Sequence, residues 1–474
     1  MPRRLIEFIG RAWRPSAPQA RLRVIPRAEH SISRRDISGP ALKVLYRLKD
    51  AGYEGYLVGG GVRDLLLGGH PKDFDVATNA TPEQVRKVFG NCRIVGRRFR
   101  LAHVLFGRDV VEVATFRAGH EAGEPGDEDH VDDDASEVHE HTGMILRDNV
   151  WGNVEQDALR RDFTVNALYY NIADFSVHDY VDGLKDLEKR RLRLIGDPET
   201  RYREDPVRML RAARFAAKLG FTIEDRTRKP IATLRPLLNN IPPARLFDET
   251  LKLLLAGYGQ ASWQQLEALG LAEALFPETI HETARDPAAR TFVLAALANS
   301  DARLAEGKSV TPAFLFAALL WPVVATRYRQ LLAEGVPEVP AIGQAAQQVL
   351  DEQCRRVAIP RRFSVPAREI WELQLRLEKR QGRRAAALLT HPRFRAAWDF
   401  LVLREQAGAL RREPADLFAG KPGDWWADFQ SADPDARGHM VRSLDAQGPG
   451  SAGDGKRRRR RGGRNRRRTP GESA

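Results

Sequence analysis

Only two cysteines, Cys92 and Cys354, occur in 474 residues. They are too few and too far apart in sequence to staple a fold, so a disulfide framework is excluded and a reducing cytoplasm is the expected compartment. Long hydrophobic runs are also missing. The most apolar stretch, Ala313 to Ala325, is shorter than the ~18 residues a membrane span needs and contains Pro322. At the start of the chain, Glu7 and Arg11 interrupt what would have to be the apolar core of a signal peptide, and no small-residue cleavage site follows. No membrane segment and no export signal are expected.

Acidic charge is in deficit. Lys and Arg number 76 against 63 Asp and Glu, a net charge of +13. The excess is local, because Lys456 to Arg468 holds ten cations and no acid, leaving +3 for everything else. Flanked by Gly, Ser and Pro, such a run cannot bury apolar surface. It reads as a disordered tail whose natural partner is a polyanion, bound through phosphate contacts and counterion release.

The length is about three times a ~150-residue domain, which predicts two to four compact units. Residues 1–34 mix Pro, Arg and Ser without sustained periodicity and read as an irregular arm. Ala41, Val44, Leu45 and Leu48 then mark one face of a helix over Pro40 to Ala51. Tyr56 to Val58 reads as a buried strand, Gly59 to Gly61 as a turn, Val62 to Leu67 as a helix and Asp73 to Ala77 as a second strand. Thr81, Pro82 and Gln84 form a capping-box signature for a helix that Gly90 stops. Strands recur at Ala102 to Phe106 and Val110 to Phe116, so residues 35–195 read as a mixed α/β head.

An insertion at 120–141 carries ten acids and four of the eleven histidines with almost nothing apolar, the composition of a solvated loop. No His pair in it has a helical ligand spacing. Beyond Asp197 the pattern is helical: a neck over 196–260, a body over 261–440, and the tail over 441–474. The expected helices include Pro206 to Leu219, Leu246 to Leu255 and Ser262 to Leu275, the last with a capping box at Ser262 and Gln265. A helix over Pro366 to Arg380 places Ile370, Leu373 and Leu377 on one stripe and Arg376, Lys379 and Arg380 away from it.

Chemistry concentrates in the head. On a strand, Asp73 and Asp75 would point to the same face about 6.5 to 7 Å apart, where their repulsion is relieved by a divalent cation. They follow Gly59-Gly60-Gly61-Val62-Arg63-Asp64, whose glycines allow backbone N–H groups to approach an anion and whose Arg63 can add a charge-assisted phosphate contact. The Gly-Lys-Ser/Thr ending of a P-loop is absent. Glu112 faces away from Val111 and Val113, and if its strand neighbours that of Asp73, three carboxylates converge.

These two segments resemble the head of the class II, polymerase-β-like nucleotidyltransferases, which include tRNA CCA-adding enzymes and bacterial poly(A) polymerases. Two further motifs extend the resemblance. Arg160-Arg161-Asp162-Phe163-Thr164-Val165-Asn166-Ala167-Leu168 is similar to the family's ribose and triphosphate motif, and Arg203-Glu204-Asp205-Pro206-Val207-Arg208-Met209-Leu210-Arg211 to its base-recognition motif. The resemblance implies that Asp73, Asp75 and Glu112 bind two Mg²⁺ ions, with Mn²⁺ as an alternative, and that Asp162 acts in the active site beside the ribose. It assigns nucleotide binding to Gly60, Gly61, Arg63, Asp64, Arg160, Arg161, Asn166, Glu204, Asp205, Arg208 and Arg211.

Asp205 and Arg208, three apart at a helix start with Pro206 at its first position, offer one acceptor beside one donor. That pair complements adenine and cytosine and rejects guanine and uracil, so it admits ATP or CTP. Other segments separate the two activities. Ile94-Val95-Gly96-Arg97-Arg98-Phe99-Arg100-Leu101-Ala102-His103-Val104 is similar to a segment of proteobacterial poly(A) polymerases, and the Arg-rich stretch from Phe363 to Arg404 is similar to their C-terminal region.

The expected architecture is therefore multidomain α/β plus all-α: a nucleotidyltransferase head with a mixed sheet, a helical neck and body, and a disordered basic tail. The expected function is template-independent addition of AMP from ATP to RNA 3′ ends with release of pyrophosphate, by a cytoplasmic monomer that feeds the RNA-decay machinery. A CCA-adding enzyme is the alternative.

Overall fold

A computed structural model describes residues 22–96, 100–118, 136–139, 144–148, 150–380, 384–408 and 422–447. The basic tail, most of the acidic insertion, and Arg97, Arg98 and Phe99 lie outside the described residues.

By its internal contacts the chain divides into two units, the first formed by residues 1–281, 297–312 and 351–359 and the second by 282–296, 313–350 and 360–474. The boundaries expected at 195 and 260 therefore do not separate the compact units. Head and neck cluster together, completed by two later returns of the chain.

The first unit is built on an eight-stranded mixed sheet. Its strands are β1 (Arg23–Ile25), β2 (Gly55–Val58), β3 (Asp75–Thr78), β4 (Cys92–Val95), β5 (Leu101–Phe106), β6 (Asp109–Thr115), β9 (Leu168–Asn171) and β10 (Val177–Asp179), in the order β1-β10-β9-β2-β3-β6-β5-β4. A separate hairpin pairs β7 (Ser136–His139) with β8 (Met144–Asp148), so the C-terminal end of the expected loop at 120–141 is a strand. Residues 22–34 are likewise no irregular arm. β1 pairs antiparallel with β10, and Ile25 and Ile32 are buried. A three-residue edge strand is too short to show periodicity, which is why composition alone misses it.

Helices surround the sheet: α1 (Gly39–Asp50), α2 (Gly60–Leu66), α3 (Pro82–Val88), α4 (Val154–Arg160) and α5 (Gly183–Glu188). The α1 stripe of Ala41, Val44, Leu45 and Leu48 is fully buried. α3 begins with the expected capping box, the Thr81 hydroxyl accepting from Gln84 N while the Gln84 side chain accepts from Thr81 N. β2 is buried along its whole length, and Tyr56 packs edge-on against Tyr169 at 5.9 Å between centroids.

Two helices follow, α6 (Pro198–Glu204) and α7 (Val207–Leu219). α7 begins at Val207, one residue later than expected, but Asp205 and Arg208 share its start: Asp205 is extended, its Oδ1 accepts from Val207 N at 3.3 Å, and its carbonyl accepts from Arg208 N at 3.0 Å. Further along, the expected helix from Ser262 to Leu275 is two, Gly259–Ala268 and Ala272–Leu275. Ser262 lies buried within the first of them, and its expected capping box does not form. The cap comes from 40 residues downstream in the chain: Asp301 accepts from Gly259 N at 2.7 Å and from Gln260 N at 2.9 Å.

The second unit is helical. Its helix Pro312–Ala333 contains Pro322 and is buried from Ala313 to Val324, and among the described residues no helix is long and apolar enough to cross a membrane. In the helix Arg361–Lys379 the stripe of Ile370, Leu373 and Leu377 is buried as expected. Arg380 is not turned outward: it ends that helix in a left-handed conformation and is 3% exposed, its guanidinium 5.9 Å from the Trp425 ring. The helix Phe394–Gln406 supplies Arg404, buried between Gln374 and Glu378.

Candidate active site

β2 carries the chain to Gly59, which adopts φ +72° and turns it directly into α2. The helix thus starts two residues earlier than expected, and Gly60 and Gly61 are its first turn. A Cβ on Gly59 would lie 3.6 Å from Arg161 Nη1 and 3.8 Å from Asp75 Oδ2. The turn backbone therefore passes between the two motifs. Gly61 packs as closely on the Asp73 carbonyl.

Asp73 does not sit on a strand, because β3 begins at Asp75. The same-face argument for the pair consequently fails, yet the acids still converge by a different route. β3 runs parallel to β6 with Val76 opposite Val113, and one residue back that register sets Asp75 beside Glu112. The Asp75 side chain is exposed where it opens on a cleft. Desolvation, then the like charges of Glu112 and Asp73, push its pKa up to about 6 against the opposing pull of Arg161. Glu112 is itself faced by His103, with Nε2 3.5 Å from Oε1, directly across from it on β5.

The cleft has a volume of about 1270 Å³ and is lined by every residue proposed from sequence except Glu112 and Glu204. Several of these residues are engaged by protein partners. Arg63 is buried, donating from Nε to Asp64 at 2.8 Å and from Nη1 to Asn166. These bonds tie α2 to the second motif. Asp64 also holds Lys218 at 3.2 Å. Asp162 accepts from Phe163 N, from Asn166 Nδ2 at 3.2 Å and from both Arg211 nitrogens, with Nε at 2.7 Å. It is a joint between the second and third motifs rather than an open acceptor for a ribose. Burial would raise its pKa, but the Arg211 charge and these hydrogen bonds prevail and hold it at about 2.

Arg208 N donates to the Asp205 carbonyl at 3.0 Å, while their side chains have further partners. Asp205 accepts from Arg245 at 2.7 Å, and Arg208 donates to the Arg201 carbonyl at 2.6 Å and to Glu204 at 2.9 Å. Both open on the cleft with their functional groups in place. Arg161 is held by Asp157 and Tyr169; although desolvation opposes the charge, those two partners raise its pKa.

Arginines crowd one another around Arg160, a residue of the cleft wall. Desolvation, then the charges of Arg117, Arg201, Arg208 and Arg161, press the Arg160 guanidinium down to about 9. Arg201 falls to about 10 through burial and Arg208, despite Glu204 and Asp162. Guanidiniums that depress one another's protonation are stabilised by an anion placed among them, which is the electrostatic signature of a polyphosphate site. Among the described residues no three His, Cys, Asp or Glu side chains form a coordinating cluster. The carboxylates converge at one end of the cleft without being gathered.

Sequence reasoning missed Arg245, Lys218, Lys252 and Arg117, all in the cleft wall. Lys218 was findable, since Arg211, Arg214 and Lys218 recur at helical spacing on α7. Arg245 and Arg117 meet their partners only through tertiary folding.

Comparison with known proteins yields three family matches: the poly A polymerase head domain over residues 55–193, the probable RNA and SrmB-binding site of polymerase A over 220–282, and the polymerase A arginine-rich C-terminus over 334–468. The chain is 54% identical to poly(A) polymerase I of Escherichia coli over 429 residues, 90% of this chain and 89% of that protein. It is 48% identical to poly(A) polymerase I of Haemophilus influenzae over 422 residues, 88% and 90% of the two chains. A CCA-adding enzyme of Lactobacillus gasseri is 38% identical, but over 233 residues that cover 49% of this chain and 54% of that protein. The fold is shared with a solved tRNA-processing enzyme bound to CTP, at TM-score 0.53 and 20% identity, covering 85% of this chain and 99% of that one.

Proposed function

This chain belongs to the bacterial poly(A) polymerase I family, and from that premise we infer that it extends RNA 3′ ends without a template, transferring AMP from ATP and releasing pyrophosphate. The observation that carries the reading is the meeting of three separated motifs in one cleft with acids at one end and crowded arginines along the wall. Such a cleft suits a triphosphate whose α-phosphate is attacked by a hydroxyl. The sequence match to the Lactobacillus gasseri CCA-adding enzyme covers 49% of the chain, whereas that to the Escherichia coli poly(A) polymerase covers 90%, and a poly(A) polymerase family match extends over the Arg-rich C-terminal region.

Asp73 and Asp75 both line the cleft, and desolvation with the charges of Glu112 and Asp73 raises the Asp75 pKa, which fits acids that would hold divalent cations such as Mg²⁺, with Glu112 the neighbouring third. Bound there, two such ions supply the Lewis acidity that activates the primer 3′-hydroxyl and neutralises the leaving pyrophosphate. The chain's own contribution is placement. Arg160 and Arg161 face the phosphates, α2 brings Gly60 and Gly61 to the cleft, and the Arg63-Asn166-Asp162-Arg211 network fixes the motifs relative to one another. Arg245 orients Asp205 to accept from the adenine N6 amine, while Arg208, steadied by Glu204, donates to N1.

A cytoplasmic, monomeric enzyme whose products enter RNA decay is consistent with the two unpaired cysteines and with the family. The direct test supplies Mg²⁺, an unstructured RNA and each nucleotide separately. Long products with ATP alone are expected. Addition of C from CTP alone to tRNA lacking its 3′ end would instead identify the CCA-adding activity.

A further inference from the structure

The cleft wall includes two large aromatic rings, Phe215 and Tyr258. Phe215 is occupied: the guanidiniums of Arg214, Arg211 and Arg63 lie 4.6, 5.4 and 5.5 Å from its centre, and Phe163 meets it edge-on at 5.7 Å. Tyr258 is different. It is 38% exposed, in a wall otherwise dominated by charge.

The backbone around Tyr258 is fixed with unusual care for a surface residue. Gly257 adopts φ +86°, a conformation that strains other residues, and a Cβ on Gly259 would come within 2.6 Å of the Leu254 carbonyl. On the far side of Tyr258 the helix Gly259–Ala268 is held by Asp301, whose two carboxylate oxygens accept from Gly259 N and Gln260 N. The turn is therefore locked by two required glycines and a long-range cap, and the ring it presents has little backbone freedom left to lose. In the preceding helix, Pro243–Leu254, Glu249, 5% exposed, holds Lys252 Nζ at 2.9 Å, which steadies a cation in the same wall.

We propose that Tyr258 is a stacking platform for the base at the 3′ end of the RNA primer, with Lys252 contacting a primer phosphate. An aromatic ring and a cation in one cleft wall are the combination that holds single-stranded nucleic acid, and stacking is tolerant of sequence because every base has a π face. Tolerance is what an enzyme without a template requires of its primer site. The incoming nucleotide is read at its polar edge by Asp205 and Arg208, whereas the primer end is gripped without being read. This inference rests on the proposed polymerase reading.

The test compares full-length Tyr258→Ala, Tyr258→Leu and Tyr258→Phe with the unmodified protein, using ATP and an unstructured RNA whose 3′-terminal base is 2-aminopurine. The Ala and Leu variants should raise KM for RNA about 5- to 100-fold, the range set by loss of one stacked base, with KM for ATP unchanged and the fluorescence quench on RNA binding lost. The Phe variant should match the unmodified protein in all three. Leu supplies bulk without a ring, so a Leu variant that retains the quench and the RNA KM overturns the platform, as does an Ala variant that does so. If the unmodified protein quenches the probe but adds no AMP, it is the polymerase reading that fails, and the stacking site stands.

Discussion

Arg211 and Asp162 are 49 residues apart in sequence, yet Arg211 Nε donates to Asp162 Oδ2 at 2.7 Å. The bond joins the loop motif after α4 to the middle of α7. With Asn166 it continues to Arg63 and so back to the glycine turn. The three motifs that sequence comparison finds as separate islands are one hydrogen-bonded object.

Because Asp162 is held at about 2 in the folded protein, its sign is that of a depressed carboxylate. The stability it contributes is fully present above its unfolded value near 4 and is lost as pH falls through its folded value. A shift of this size corresponds to about 2 to 3 kcal/mol. Urea titrations between pH 7 and pH 1.5 should show that Asp162→Asn is less stable at neutral pH but loses less stability on acidification. Parallel pH curves for the two proteins would refute the linkage.

Asp73→Asn and Asp75→Asn each remove a carboxylate charge and little volume. Both should lower AMP addition at least a thousandfold in Mg²⁺ while leaving the thermal midpoint and RNA affinity near those of the unmodified protein. Turnover close to normal in either variant would falsify the assignment of that residue to metal binding.

For Arg208 the expected effect is on choice rather than on rate alone. Arg208→Ala removes the proposed donor to N1, so relative kcat/KM for ATP over GTP and UTP should fall, measured with all four nucleotides on one primer. Arg208 also steadies Glu204 and the Arg201 carbonyl, so intact folding is checked by the melting curve. An active, folded variant with the original order of preference would move the base reader elsewhere in the cleft.

Deletion of residues 456–474 removes the ten cations of Lys456 to Arg468. RNA binding should weaken, and the slope of log K against log salt should become shallower, because phosphate contacts release counterions in proportion to their number. An unchanged slope would show that the tail does not touch RNA.

The parts of the fold legible in sequence were those that local physics decides. The α1 stripe, the Thr81 capping box and the wet face of β6 follow from spacing and side-chain chemistry within a few residues. The site was legible as residues but not as geometry. Asp73 lies before its strand, so the acids converge through the β3 and β6 pairing instead of along one backbone. Ser262 and Gln265 carry the letters of a capping box inside a helix, because Asp301 supplies the cap from a distance that no local pattern reports. Asp205 and Arg208 satisfy an i,i+3 rule, yet their side chains are also held elsewhere, Asp205 by Arg245 from 40 residues away and Arg208 by Glu204 one turn earlier.

The return of the chain to its first unit sets an order on its birth. Asp301 caps the helix Gly259–Ala268, Gln353 donates to the Leu275 carbonyl, and Ala358 N donates to the Pro243 carbonyl. A ribosome that has released residues 1–281 has made all three motifs but none of the groups that close these bonds. The part of the cleft that the three motifs build can form early in synthesis, whereas the turn beside Tyr258 waits for Asp301. A truncation after residue 281 leaves the gap that translation fills, so it should hold ATP better than it holds RNA.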